Sequence, residues 1–256
     1  MLNYSIIGGG RLARHFSHYF QLLGVPHSCW ARDANSSFNT HSAADGESRL
    51  RQTLEGADRV LLLVSDRAIP AVLERFPVLH EKTLIHCSGS LSIDGVAAAH
   101  PLMTFSDSLY EPGLYQTIPF VLESGYRFED LFPDLPNPHF SVGAGQKARY
   151  HALCVMAGNF AQLMWKHTLD RFEAQFEWPQ EILSPYLRQV TENFIRNPDT
   201  ALTGPLVRND EQTINSNLDA LDGDPLQSVY AAFVKLHQDH EQMPGISDSP
   251  RMGASS

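Results

Sequence analysis

The sequence predicts an α/β protein: a doubly wound sheet built from short strands, followed by an all-α C-terminal half. Three observations carry that expectation. An apolar stretch, Ser5-Ile6-Ile7, runs straight into Gly8-Gly9-Gly10 and then into a helical pattern. Short apolar runs then alternate with helical or polar segments as far as residue 142, the pattern of a largely parallel sheet with helical crossovers. From Gly143 onward long stretches with helical spacing replace them. We therefore expect a nucleotide-binding domain over 1–142, a helical substrate and dimerisation domain over 143–242, and a disordered tail over 243–256, where no periodic pattern remains.

The opening turn sets the first function class. Gly8, Gly10 and Ala13 satisfy G-x-G-x-x-G/A, the Rossmann dinucleotide fingerprint. The first glycine permits the tight turn, the second lets backbone approach a pyrophosphate, and the small third residue lets helix pack on strand. The helix opening at Arg11 would aim its free N–H groups at that pyrophosphate, so Gly8, Gly9, Gly10, Arg11, Leu12 and Ala13 are the expected cofactor contacts. An ordinary glycine-rich strand-to-helix turn is the plain alternative.

Leu12, Phe16, Tyr19, Phe20 and Leu23 recur at helical spacing, and Gly24 with Pro26 stops the helix. A second strand, 26–31, ends at Arg32. An acidic residue there would grip a ribose 2′-hydroxyl, whereas an arginine accommodates a 2′-phosphate. Arg32 favours NADP over NAD, although Asp33 follows it and an exposed loop arginine is the bland reading. Residues 34–53 are polar and irregular, a short helix with its connections. Residues 58–64 read as a buried parallel strand. Ser65 and Asp66 follow at its carboxyl end, as cofactor ligands or as caps of a helix over 68–76.

A strand over 83–86 leads into Cys87-Ser88-Gly89-Ser90-Leu91-Ser92, where Ser90 or Ser92 would cap a helix over 93–99. Short strands are expected over 100–105 and 117–122, their prolines marking sheet edges, and over 140–143. Residues 146–167 are apolar on all sides, which predicts burial in a core or in a subunit interface. Arg149, His151, Asn159 and Gln162 interrupt the run and exclude a membrane span. Further helices are expected over 181–196, after Asp210, and after the cap Asp224-Pro225.

The formal net charge of -10 argues against nucleic acid as a partner. A small anionic substrate remains compatible if a few arginines gather locally. Cys29, Cys87 and Cys154 show no C-x-x-C pair, so neither a zinc site nor a disulfide framework is suggested. No signal segment opens the chain, which makes the cytoplasm the expected location.

A nicotinamide reductase needs a proton source for the oxygen that gains hydride, and donors for a substrate anion. Lys147 and His151, four residues apart, share a helix face, with Asn159 about eighty degrees round from His151. Either this edge faces a nicotinamide, or Lys147 is a solvated first-turn residue and Asn159 a satisfied core amide. Thr203-Gly204-Pro205 with Arg208 offers a turn and one guanidinium for a carboxylate, or is merely a helix connection. His100 is one histidine among 12 and carries little weight alone.

Taken together, Ser88-Gly89-Ser90, His100-Pro101-Leu102-Met103-Thr104-Phe105, Lys147 with Tyr150-His151-Ala152 and Asn159, and Leu202-Thr203-Gly204-Pro205 with Arg208 and Asp210 resemble one family. It is the Rossmann-like group whose C-terminal half is a domain of unknown function, similar in layout to 6-phosphogluconate dehydrogenase and to ketopantoate reductases. The resemblance implies an NADP-binding domain, a helical dimer-forming domain, and an active cleft between them. It also implies Lys147, His151 and Asn159 as catalytic residues, with Ser88, His100, Thr203 and Arg208 on the substrate. Related hydroxyacid dehydrogenases place lysine and asparagine about one helical turn apart, whereas here twelve residues separate them, so Lys147 and His151 compete as proton donor. The expected activity is NADPH-dependent reduction of a small 2-oxo acid, 2-dehydropantoate first, by a homodimer. A non-catalytic NADP sensor is the alternative, and a methyltransferase a more distant one.

Overall fold

The computed structural model describes residues 1–42 and 45–241, so the tail expected over 243–256 lies outside the described residues. The chain divides into two compact units at Lys166/His167.

The first unit is the doubly wound sheet. Its elements run β1 Tyr4–Ile7, α1 Arg11–Leu23, β2 His27–Trp30, α2 Gly46–Leu54, β3 Arg59–Leu62, α3 Ile69–Arg75, β4 Thr83–His86, β5 Val96–Pro101, α4 Pro112–Thr117, β6 Phe120–Glu123, α5 Phe128–Leu131 and β7 His139–Val142. The strand order is β2-β1-β3-β4-β5-β6-β7. All neighbours are parallel except β5 and β6. Because β2 lies on one side of β1 and β3 on the other, the order reverses at β1, the switch point where such sheets take ligands.

Alternating residues supply two cores, as the two-residue period of a strand requires. Ile6, Leu61, Ile85 and Ala97 stand in one register row and join Phe16, Phe20 and Phe132 on one face. Ile7, Val60, Leu62 and Leu84 face the other way, against Leu50, Leu54, Ile69 and Leu73. Burying a side chain of this size contributes about 1.5–3 kcal/mol, so both faces of the sheet hold the switch point rigid.

Several expectations change here. Residues 93–99 are not a helix: Asp94-Gly95 makes a turn, with Gly95 at φ 75, and β5 follows at Val96. Its alanines favour a helix intrinsically, but they are buried between β4 and β6, and that packing overrides propensity. Neither β5 nor β6 is an edge, since β2 and β7 flank the sheet. Pro101 closes β5 and Pro119 precedes β6, so neither has to donate within the ladder. Leu102–Phe105 leave the sheet, and the segment before β6 contains α4.

The long apolar helix is α6 Lys147–Val155, a π turn Met156–Phe160, and α7 Ala161–Phe176. Leu153, Met156, Phe160 and Leu163 are all more than half exposed, so it is no core helix of a single chain.

The second unit holds the rest of α7, then α8 Ser184–Arg196, α9 Glu211–Ala220 and α10 Leu226–Glu241. Asp210 caps α9 through the Thr213 N–H, at 3.1 Å. Asp224 caps α10 by accepting from the Leu226 N–H at 2.8 Å, and takes a two-pronged ion pair from Arg171 at 2.7 Å. Both caps are where the sequence places them. No described helix is long and apolar enough to cross a membrane.

Candidate active site

At the switch point the glycine turn is shaped for a close ligand. Gly8 sits at φ 137, and a Cβ there would overlap the carbonyl oxygen of Leu63, so only glycine fits beside the end of β3. A Cβ on Gly10 would meet nothing within 4 Å, leaving its backbone open. No side chain caps α1 and its first turn holds no acid, so its leading N–H groups are free for an anion.

Gly8, Gly9 and Gly10 line a cavity of about 490 Å³ together with Arg32, Ser65 and Arg75. Trp30 and Phe76, stacked edge to face at 5.8 Å, supply apolar surface, and the Arg75 guanidinium lies 5.2 Å from the Phe76 ring centre. Among the described residues no Asp or Glu lines this cavity. Asp33, the one acid near Arg32 in sequence, accepts from the Asn35 N–H within its own turn. Asn39 accepts from the Ala31 N–H at 2.6 Å and donates to the Asp33 carbonyl at 2.7 Å, bracketing Arg32 from both sides. The polar stretch after β2 thus braces an arginine. A dinucleotide with a 2′-phosphate fits these groups.

Of the other expected cofactor contacts, Ser65 lines the cavity and caps nothing with its side chain. Arg11 pairs with Asp107 at 2.9 Å on the surface, Leu12 packs on the core, and Ala13 is fully buried where helix meets strand. Asp66 is a correction: its carboxylate accepts the Ser88 hydroxyl at 2.6 Å and is absent from the cavity wall. Ser88 is equally committed, its Oγ accepting the N–H groups of Ser90 and Leu91. It shapes the turn after β4 and has no free hydroxyl for substrate.

A second cavity, about 460 Å³, is lined by His100, Met103, Thr104, His151, Asn159 and Gln162 among others. His151 and Asn159 line one cavity, with the π turn carrying Asn159 to the wall. Such turns recur at functional sites, and nothing in the spacing of 147, 151 and 159 revealed this one. Gly89 is the contact point below: a Cβ there would lie 2.5 Å from His151 Cδ2 and 3.2 Å from His100 Cδ2. His100 Nδ1 is 2.7 Å from the Tyr150 hydroxyl. Tyr150, Arg75 and Gly89 are the site residues sequence reasoning missed; Tyr150 stood in the motif, but no spacing rule ties it to His100.

Lys147 is the second correction. Its side chain is 4% exposed and lies outside the second cavity's wall. Its ammonium donates to the Leu91 carbonyl and to Glu123 Oε2, the latter at 3.2 Å. Burial pulls its pKa down, with Glu123 opposing. Lys147 clamps the Ser88–Leu91 turn and is not a solvated first-turn residue. Beneath that turn His86 is fully buried, its Nδ1 accepting the Ser88 N–H at 3.2 Å, so the ring proton is on Nε2. Burial, with Lys147 nearby, lowers His86 to about 4. Burial first, then His151 and Lys147, likewise lower His100 to about 4. Both rings are neutral at physiological pH.

Thr203 and Arg208 lie in the second unit, exposed, on the turn before α9, with Gly204 at φ 95. They are described within that unit.

The class defined by this fold is a Rossmann-like α/β protein with a helical C-terminal region. Residues 123–236 match the family model described as domain of unknown function DUF2520. Among solved structures, the chain resembles a Bacteroides fragilis protein assigned as an NADP oxidoreductase (TM-score 0.69, 20% identity, 93% of this chain and 98% of that one). It also resembles a Thermotoga maritima protein (0.65, 21%, 94% and 100%). A third is the reductive aminase of Aspergillus terreus in complex with NADPH and ethyl levulinate (0.59, 17%, 94% and 94%). At these identities the likeness establishes the fold. No curated protein matches the chain.

Proposed function

We propose that this chain is an NADPH-dependent reductase that adds hydride to the carbonyl carbon of a small 2-oxo acid, with 2-dehydropantoate the first substrate to test. The observation that carries the cofactor is the switch-point cavity: two arginines, Arg32 and Arg75, line it, and among the described residues neither is paired with a carboxylate and no acid is in the wall. In a protein of net charge -10, an acid-free cavity with two guanidinium groups is built for an anion. A phosphate monoester on the adenosine ribose is the anion this position receives; an NAD site would present an acid to the 2′-hydroxyl instead. The A. terreus enzyme of the same fold is solved with NADPH, which supports the reading.

The nicotinamide, when bound, supplies the hydride. Gly8, Gly9, Gly10 and the start of α1 hold the diphosphate, while His100, His151 and Asn159 meet the substrate heteroatom. Lys147 positions their floor, and within the second unit Arg208 with Thr203 offers a guanidinium and a hydroxyl to an anion. A second reading replaces C=O with C=N: among the described residues the second cavity's wall holds no Arg or Lys for a carboxylate, and the A. terreus relative is a reductive aminase. The exposed apolar residues of the long helix support a homodimer.

The test is NADPH oxidation, followed by absorbance, against a panel of 2-oxo acids including 2-dehydropantoate and a panel of cyclic imines. Turnover with an oxo acid supports the first reading, and turnover with imines alone selects the second. NADPH binding without turnover on either panel contradicts both and leaves a cofactor sensor.

A further inference from the structure

The burial of Lys147 leaves the proton source open, and the contacts of His100 point to one. We infer that Tyr150 and His100 form the proton-delivery couple of this site, the tyrosine hydroxyl feeding its proton through the neutral imidazole to the substrate heteroatom. The inference rests on the reductase reading above.

Four observations meet at this pair. His100, next to last in β5, lines the second cavity, and its Nδ1 is 2.7 Å from the Tyr150 hydroxyl on α6. The rings meet edge to face at 5.6 Å, which fixes the imidazole plane. A neutral imidazole offers one donor and one acceptor nitrogen. A phenol is the stronger donor and imidazole nitrogen the stronger acceptor, so Tyr150 O–H donates to Nδ1 and the ring proton is on Nε2. The alternative, Nδ1–H donating to Tyr150 with its hydroxyl turned to the neighbouring Cys154 thiol, relies on sulfur, a weak acceptor.

The fourth observation is Gly89. A Cβ at this position would stand 3.3 Å from His100 Nε2, so the missing side chain keeps the edge that carries the transferable proton uncovered. The groups around His100 are Tyr150, His151 and Lys147 from α6, and Asp66 from the segment after β3. His151 and Lys147 disfavour the imidazolium, as does burial, which keeps the ring in the form this transfer needs.

The step balances. As the carbonyl carbon gains the hydride pair, the π electrons become a lone pair on oxygen, and that oxygen takes the Nε2 proton. The Tyr150 proton moves to Nδ1, leaving His100 neutral in its other tautomer and Tyr150 as phenolate, which regains a proton from water. Burial, and then Cys154, raise the Tyr150 pKa, yet an alkoxide is a stronger base than a phenolate, so the transfer runs toward the alcohol.

The experiment combines nitrogen-15 histidine NMR of the cofactor-free protein with pH profiles of kcat. The NMR should show His100 neutral and Nε2-protonated between pH 5 and 8, and Tyr150→Phe should shift it toward a tautomer mixture. The profile should show no loss of kcat near pH 6.5, where an unshifted histidine acid would titrate. Tyr150→Phe should lower kcat about 100-fold or more with NADPH affinity unchanged, which separates chemistry from folding. An Nδ1-protonated or charged His100 at pH 6.5, or a kcat that falls above that pH, overturns the couple. Absent turnover in the parent protein contradicts the reductase reading instead, and the NMR result still decides the couple.

Discussion

Two imidazoles occupy the space a side chain at Gly89 would need, so the smallest substitution there is informative. Gly89→Ala should displace His151, whose Cδ2 would otherwise lie 2.5 Å from the new methyl, and lower kcat about tenfold or more by misplacing the wall of the second cavity. Thermal stability and NADPH affinity should change little, and equal losses in all three would contradict a local effect. Lys147 tests burial. Removing one partner of a buried ion pair typically costs about 3–5 kcal/mol, so Lys147→Met should destabilise by that order in chemical denaturation. Adding Glu123→Leu should recover much of the loss; a Lys147→Met protein of parental stability would contradict the clamp. The residue types at this site were legible in the sequence, because Lys147, His151, Asn159 and the His-Pro pair stood in recognisable stretches. Which way they turn was not. Lys147 finds Glu123 on β6 and the Leu91 carbonyl, contacts that only the tertiary fold brings near. The same holds for Tyr150 with His100, and for Arg75, which ends a helix unremarkable in sequence.

Elements were legible where a local signal and the packing agreed. The glycine turn with α1, the caps Asp210 and Asp224, and the apolar strands β3 and β4 all have that agreement. β5 fails because three alanines favour a helix while the sheet interior requires a strand, and the Asp94-Gly95 turn is a short signal against them. The π turn of 156–160 leaves no periodic trace, since one extra residue in a turn only rotates the rest of the helix about its axis. The Asp224 cap makes a prediction of its own. Arg171 first, then the Leu226 N–H, lower Asp224 from 3.8 to about 2. A carboxylate depressed on folding contributes stability above its unfolded pKa and loses it as pH falls through the folded value. Helical circular dichroism should therefore show a loss between pH 4 and 2 that Asp224→Asn removes; an acid transition unchanged in that variant would contradict the assignment.

The two units differ in how much apolar surface each covers. The sheet unit buries two cores, whereas Phe176, Tyr186, Phe194, Ile195, Phe233 and Leu236 in the helical unit are at least half exposed. A homodimer covering that surface predicts twice the chain mass in light scattering at micromolar concentration; a monomer there contradicts it. Buried neutral histidines give the sheet unit an acid sensitivity. His86 and His100 are both lowered from 6.5 to about 4, so their contribution is complete above pH 6.5 and is lost as pH falls toward 4. The melting temperature should decline across that window, and a flat profile would contradict burial of both rings. The central claim is that the crevice at β1 holds NADP through Arg32 and Arg75. Its most direct test is calorimetric titration of the whole chain with NADPH and NADH, repeated for Arg32→Gln and Arg75→Gln. The parent should bind NADPH at least tenfold more tightly than NADH, and each variant should weaken NADPH selectively. Indifference to both coenzymes at saturating concentration, or equal affinity for the two, would contradict it.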